Sequence, residues 1–136
     1  PPDTNANALP DAWEAIYGVS DPDADDDGDG MSNLAEYRAN TNPTNAASAL
    51  RLRGLARAPE GHVTLSWDST GGTRYRVQFR DGDATGPFTD VPRPLAVELD
   101  AAPWGAPSTQ QFVDDFTLTG GDPAGPARFY RVRVIP

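Results

Sequence analysis

The run Asp25-Asp26-Asp27-Gly28-Asp29-Gly30-Met31-Ser32-Asn33-Leu34-Ala35-Glu36 places oxygen-bearing side chains at positions 1, 3, 5, 9 and 12 of a twelve-residue loop. Those donors are Asp25, Asp27, Asp29, Asn33 and Glu36; Gly30 stands at position 6, and position 7 offers the Met31 carbonyl. A hard divalent cation takes six to eight oxygens, so alternate side chains of a tight turn converge on it, a glycine permits the bend, and a helix-borne Glu closes the shell. The spacing therefore predicts a Ca2+ loop. A register starting two residues earlier, at Asp23, puts Leu34 at position 12 and fails.

Working back from this loop, a shift of 22 residues finds it again in weaker form: Asp3, Asn5, Asn7, Asp11 and Glu14 fall on Asp25, Asp27, Asp29, Asn33 and Glu36, with the Leu9 carbonyl at position 7. Ala8 stands where the turn wants glycine, and two Asp have become Asn. A second, weaker Ca2+ is expected there, on a strained bend. Each loop runs into a short helix. In the first, Pro10 suits the opening turn, Trp13, Ile16 and Tyr17 share a face, and Gly18 ends the helix. In the second, Leu34 and Tyr37 make the apolar stripe, Asn40 suits a left-handed end, and Asn42-Pro43 blocks continuation. Two such helices are marginal alone, so packing of these side chains must combine with the metal to hold the unit together.

Charge divides the 136 residues in two. Residues 1 to 47 hold ten acids against one Arg, whereas residues 48 to 136 hold ten acids against ten Arg, so the whole net charge of -9 lies in the first third. An acidic, Lys-free segment makes no phosphate contacts, which argues against nucleic acid and leaves calcium as the counter-charge. With no cysteine, disulfides, thiolate nucleophiles and Cys-based zinc sites are excluded. No apolar run approaches a membrane span, so membrane insertion is not expected, and no signal sequence is read.

The runs Leu9 to Gly18, Asp27 to Tyr37 and Thr41-Asn42-Pro43-Thr44-Asn45 resemble thrombospondin type 3-like calcium repeats of secreted bacterial proteins. The resemblance implies calcium-dependent rigidity, not catalysis, an extracellular or cell-surface location, and a β-domain to follow. Dockerins also pair two EF-hand-like loops. Here, however, position 12 is Glu in both loops in place of Asp, and positions 10 and 11 are Ala12-Trp13 and Leu34-Ala35, without the hydroxyl pair of dockerin recognition.

Beyond the polar joint Thr44 to Ser48 the apolar period changes to two: Val63, Leu65, Trp67; Tyr75, Val77, Phe79; Leu95, Val97, Leu99; Tyr130, Val132, Val134. Leu50 to Arg57 is a first strand whose parity slips at Gly54, as a bulge would make it, and Gln110 to Thr119 is another strand. Turns are expected at Asp68-Ser69-Thr70-Gly71-Gly72, Asp81-Gly82-Asp83 and Gly120-Gly121-Asp122-Pro123. The strands of Trp67, Tyr75 and Tyr130 resemble strands B, C and F of a fibronectin type III domain. The expected fold is thus mixed: a small α-helical two-loop calcium-binding domain (1 to 47), then an antiparallel, fibronectin type III-like β-sandwich (48 to 136). No strand follows Tyr130 to Ile135, which leaves that strand on an open edge flanked by Arg and Pro136.

Catalytic signals are weak. His62 is the sole histidine and lacks a Ser or Cys signature beside it, and the adjacent acids Asp114-Asp115 point opposite ways on a strand or mark a turn, so no enzyme is expected. Arg74, Arg76, Arg80, Arg131 and Arg133 alternate with inward residues and would form an arginine ladder on one sheet face. Trp104 fits no core pattern. The reading is a non-catalytic, calcium-stabilised structural module of a secreted or cell-surface bacterial protein, with a homo-oligomer or polymer (an extracellular filament) left open; the alternative is a module that recognises a polysaccharide or a protein.

Overall fold

Polar residues punctuate the first third and alternating apolar ones the rest, and the backbone follows both. The computed structural model describes residues 1–82, 86–92, 97–123 and 127–135. Two seven-residue helices, α1 (Asp11–Tyr17) and α2 (Asn33–Ala39), precede seven strands: β1 (Leu52–Arg57), β2 (Val63–Thr70), β3 (Arg74–Asp81), β4 (Thr89–Asp90), β5 (Val97–Leu99), β6 (Pro107–Asp114) and β7 (Arg128–Ile135).

The helix ends follow their cap chemistry. Gly18 (φ 72°) and Asn40 (φ 55°) take the left-handed conformation, and the Gly18 N–H reaches the Glu14 carbonyl at 2.7 Å. Pro10 stands one place earlier than expected, as the N-cap of α1, and α2 is capped by Ser32, whose Oγ accepts the Ala35 N–H at 3.2 Å.

The helix faces depart from the apolar stripes. Trp13 packs on Tyr17 (centroids 5.0 Å) and on Tyr37 (5.5 Å), but Ile16 is 74% exposed. The buried apolar side chains around α1 are Leu9 and Val19, which flank it in sequence. In α2 the buried face carries Asn33, Glu36 and Ala39, while Leu34 and Tyr37 stay half-buried. A helix that turns a carboxylate and an amide inward, and its Leu partly outward, is built around a polar centre.

Two antiparallel sheets enclose the main core. One runs β1-β2-β6; in the other β3 pairs with β4 and β5 along one side and with β7 along the other. Leu65, Trp67 and Phe112 from the first sheet meet Tyr75 and Val77 from the second, with Val91 between, and the Trp67 and Tyr75 rings cross edge to face at 6.0 Å. The register slips between Leu52 and Gly54, as the parity break predicted.

Several strand details differ from the reading, and β1 begins at Leu52, not Leu50. β2 continues through Asp68-Ser69-Thr70 because these residues pair with Thr109, Ser108 and Pro107, so the turn shrinks to Gly71-Gly72. β6 is Pro107–Asp114, not Gln110 to Thr119; past Asp114 its carboxylate and that of Asp115 bind the Phe116 and Thr117 N–H groups and bend the chain. Leu99 is 55% exposed, not inward. Leu95, Asp83 and Pro136 lie outside the described residues.

Arg128 shares the parity of Tyr130, Val132 and Val134, and so its guanidinium enters the interior, 3% exposed. It is answered there by Asp81 (2.6 and 3.0 Å) and by Asp114 (3.0 Å), which also accepts from the Tyr130 and Thr119 hydroxyls. The arginine ladder on the opposite face is real but partly answered: Arg76 is paired with Arg133 across the strands, Arg76 binds Asp90 (2.7 Å), Arg131 binds Gln78 (2.6 Å), and Arg80 and Arg131 lie over the Phe88 ring.

Candidate metal centre

In the central loop the backbone wraps around the acidic side chains. Asp25 Oδ1 accepts the N–H groups of Gly28 (2.8 Å) and Asp29 (3.1 Å), and its Oδ2 accepts that of Gly30 (2.9 Å). Asp27 accepts from the Asp29 N–H (3.2 Å), and Asp29 from the Met31 N–H (2.8 Å). The Gly30 N–H, with those of Gly28 and Asp29 behind it, holds the Asp25 carboxyl below its ordinary range despite some desolvation. Carboxylate oxygens of Asp25, Asp27 and Asp29 lie within 4.8 Å of one another, close enough for one metal ion to touch all three.

The remaining oxygens of this loop are the informative ones. Asp27 Oδ2, Asp29 Oδ2, Asn33 Oδ1 and both Glu36 oxygens are buried and have no hydrogen-bond partner. Asn33 is oriented by its amide nitrogen, which donates to the Asp21 carbonyl (2.8 Å) and to Asp26 Oδ2 (3.2 Å), so its oxygen is the atom left over. Burial pushes Glu36 up to about 7, and the charges of Asp27, Asp29 and Asp25 push the same way. The nearest cation, the Arg51 guanidinium, reaches only 4.0 Å from Asp29. Each buried polar atom without a partner costs about 1–3 kcal/mol, and more when charged. Five of them on residues at positions 3, 5, 9 and 12 call for a common partner.

The first loop repeats the backbone pattern but not the deficit. Asp3 accepts the N–H groups of Asn7 (3.1 Å) and Ala8 (2.9 Å), Asn5 that of Asn7 (3.3 Å), and Asn7 that of Leu9 (2.9 Å). These match the bonds of Asp25, Asp27 and Asp29 in register. Here, however, the Asn7 amide donates to Glu14 at 2.6 Å and the Asn5 amide at 3.2 Å, while Thr4 donates to Asp11 at 2.8 Å. None of its side-chain atoms is among the buried unpartnered ones. Asn at positions 3 and 5 supplies donors to Glu14, where Asp27 and Asp29 can supply none to Glu36.

Ala8 occupies the Gly30 position at φ 74°, and Ala6 the Gly28 position at φ 56°. Left-handed backbone costs an L-residue about 1–2 kcal/mol. Ala8→Gly is therefore expected to stabilise the segment by about 1 kcal/mol, read as an upward shift of the first thermal transition; a downward shift would mean that Ala8 carries no strain.

Met31 joins this centre to the β-sheets. Its sulfur accepts the Leu50 N–H at 3.3 Å. A second seam lies at the end of α2, where Thr73 Oγ1 donates to the Ala39 carbonyl (3.1 Å) and accepts from the Asn40 amide (3.0 Å). Leu9, the counterpart of Met31 in the first loop, is fully buried.

Sequence reasoning placed the loop residues but missed Asp21, Asp26 and Ser32, which orient Asn33 and cap α2. The signal for Ser32 was present, since Ser directly before a helix is a standard cap. His62 sits apart, its ring edge-on to Phe116 at 5.6 Å and its Nδ1 3.7 Å from Glu60. Asp114 serves the Arg128 network while Asp115 caps the turn after it. Residues 25–46, from the first loop position through α2, match the family model of the bacterial TSP3 repeat. No curated protein and no solved structure matches the chain.

Proposed function

We propose that the chain is a non-catalytic, calcium-stabilised structural module of a secreted or cell-surface bacterial protein. Residues 1 to 47 form the calcium-binding part and residues 48 to 136 a fibronectin type III-like sandwich. The observation that carries this reading is the set of five buried, unpartnered oxygens around α2. All donors are oxygens, which suits a hard cation and disfavours zinc or copper. Asp25, Asp27, Asp29, Asn33, the Met31 carbonyl and both Glu36 oxygens would hold the ion. Calcium supplies the positive charge that relieves the carboxylates; the chain supplies an enclosing turn and a helix that presents Glu36. The first loop, internally satisfied, takes a second ion more weakly through Asp3, Asn5, Asn7, Leu9, Asp11 and Glu14. The match to a repeat of this kind supports both the calcium and the extracellular assignment. The pairing of β2 with β1 and β6, and of β3 with β7, supports the fibronectin-like reading.

Calcium at about a hundredfold its dissociation constant should stabilise the folded loop by about 2.7 kcal/mol. Amide exchange in α2 is thus expected to slow markedly on adding calcium while the paired amides of β2 and β3 keep their rates. Equal exchange in chelator and in calcium would overturn the proposal.

The open edge of the β-sheets favours an additional role in self-assembly. Among the described residues β7 pairs with β3 alone, and beside it Leu52 and Leu55 of β1 stand 56% and 60% exposed. A second copy pairing with this edge, its acidic segment toward the arginine face, would cover both. Light scattering should then show calcium-dependent oligomers that Arg131→Glu with Arg133→Glu weakens; a monomer at high concentration in saturating calcium excludes this role.

A further inference from the structure

Trp104 is 77% exposed, yet it is not loose. Its ring lies on Gly72 so closely that a Cβ there would come within 2.2 Å of the indole, and a Cβ on Gly71 within 2.1 Å of the Pro103 carbonyl. The loop is further tied by the Gly105 N–H to the Gly71 carbonyl (2.9 Å) and by the Ala102 N–H to buried Asp100 (2.9 Å). A large apolar ring held in place yet three-quarters exposed is open to a ligand.

Beside it opens a cleft of about 480 Å³, lined also by Trp13 and Tyr17 of α1 and by Asn42, Asn45 and Ser48. The Asn42 and Asn45 carbonyl oxygens are engaged by the Thr44 and Ala47 N–H groups, which leaves both amide nitrogens without an acceptor among the described residues. The same indole also borders a smaller hollow of about 220 Å³, lined by Arg38 and Arg74. Neither arginine makes an ion pair among the described residues.

We propose that this double cleft is a binding site for an acidic polysaccharide. A pyranose ring offers an apolar C–H face, which suits a rigid indole, and a rim of hydroxyls, which suits amides and Ser. Size agrees, since ligand pockets span roughly 300–1,000 Å³. Uncharged polar groups in one hollow and two guanidinium groups in the other match a chain that carries both neutral sugars and sugars bearing carboxylate or sulfate. One wall comes from the helical segment and the other from the loop before β6, so the site spans both parts of the chain.

The test is an array of polysaccharides run in saturating calcium at moderate salt, with neutral dextran and starch beside hyaluronan, chondroitin sulfate and bacterial uronate polymers. Binding to acidic members, weakened at least about tenfold by Trp104→Ala, is the expected result. Because Trp104 is exposed, the variant should keep the parent's thermal transition, which separates lost binding from lost folding. Arg38→Gln with Arg74→Gln should reduce retention of acidic polymers, whereas Arg57→Gln, on β1 in the other sheet, should not. Silence across the array, preference for neutral polymers, or binding unaffected by Trp104→Ala would each overturn the proposal. Because the readout is retention in calcium and not calcium affinity, its failure leaves the metal reading standing.

Discussion

Glu36→Gln is expected to weaken calcium binding on the order of a hundredfold, about 2.7 kcal/mol, because it exchanges the bidentate, helix-borne closure of the shell for a neutral amide. Glu36 is fully buried with both oxygens unpartnered. The amide would bring an N–H₂ group into a space surrounded by acceptors and remove one of the charges that a cation needs. The matching substitution in the first loop, Glu14→Gln, should change affinity far less, since Glu14 is already held by the Asn5 and Asn7 amides. Calorimetric titration of both variants checks the pair. Equal losses, or no loss in Glu36→Gln, would show that the central loop is not the principal site.

The second large effect is expected at Arg128. Arg128→Ala should destabilise the β-sheets by about 3–5 kcal/mol, the range found when one partner of a buried ion pair is removed. Asp114, with its side chain 1% exposed, would lose its counter-ion, and Asp81 its fork-shaped donor. Burial alone would raise the Asp114 carboxyl, but the Tyr130 and Thr119 hydroxyls, the Phe116 N–H and Arg128 outweigh it and hold the group below its ordinary 3.8. A carboxyl depressed in the folded state contributes stability that is present above the unfolded value and is lost as pH falls through the folded one. The Asp114 contribution to the parent's stability should therefore be complete well above pH 3.8 and fall away below it, while Arg128→Ala, less stable from the outset, should unfold at higher pH. Urea titrations across an acid series measure both effects; an unchanged midpoint at neutral pH would mean that the network is not a source of stability.

The difference between these two positions shows what could be read from the chain. The central loop was legible because its geometry is local: twelve consecutive residues fix their own spacing, and the Gly30 bend and the Gly18 and Asn40 helix ends need only backbone chemistry. The bulge before Gly54 and the alternation of Leu65, Trp67, Tyr75 and Val77 were legible for the same reason. Arg128 was not, although parity places it with Tyr130, because an inward arginine is credible only once Asp81 and Asp114, 47 and 14 residues away, are known to meet it. Ile16 failed in the opposite sense. Helical spacing put it beside Trp13, but a two-turn helix has one narrow face to cover, and Trp13 meets Tyr17 and Tyr37 while Ile16 stays in solvent. The role of α2 was half seen: the buried face was assigned to Leu34 and Tyr37 and not to Asn33, Glu36 and Ala39. Gln110 to Thr119 was misplaced because its partner, β2, proved three residues longer than its turn chemistry suggested.

Met31 is the single methionine of the chain and the residue at which the two halves touch through sulfur. On the proposed reading its carbonyl faces the ion while its thioether receives the Leu50 N–H, so one residue serves as ligand by its main chain and as hinge pin by its side chain. Oxidants attack only the latter. A sulfoxide would place a bulky, strongly accepting oxygen where sulfur now sits 3.3 Å from Leu50, leaving the carbonyl chemically intact. Peroxide exposure would then loosen the loop's hold on the residues that lead into β1 while leaving the loop's oxygens unchanged.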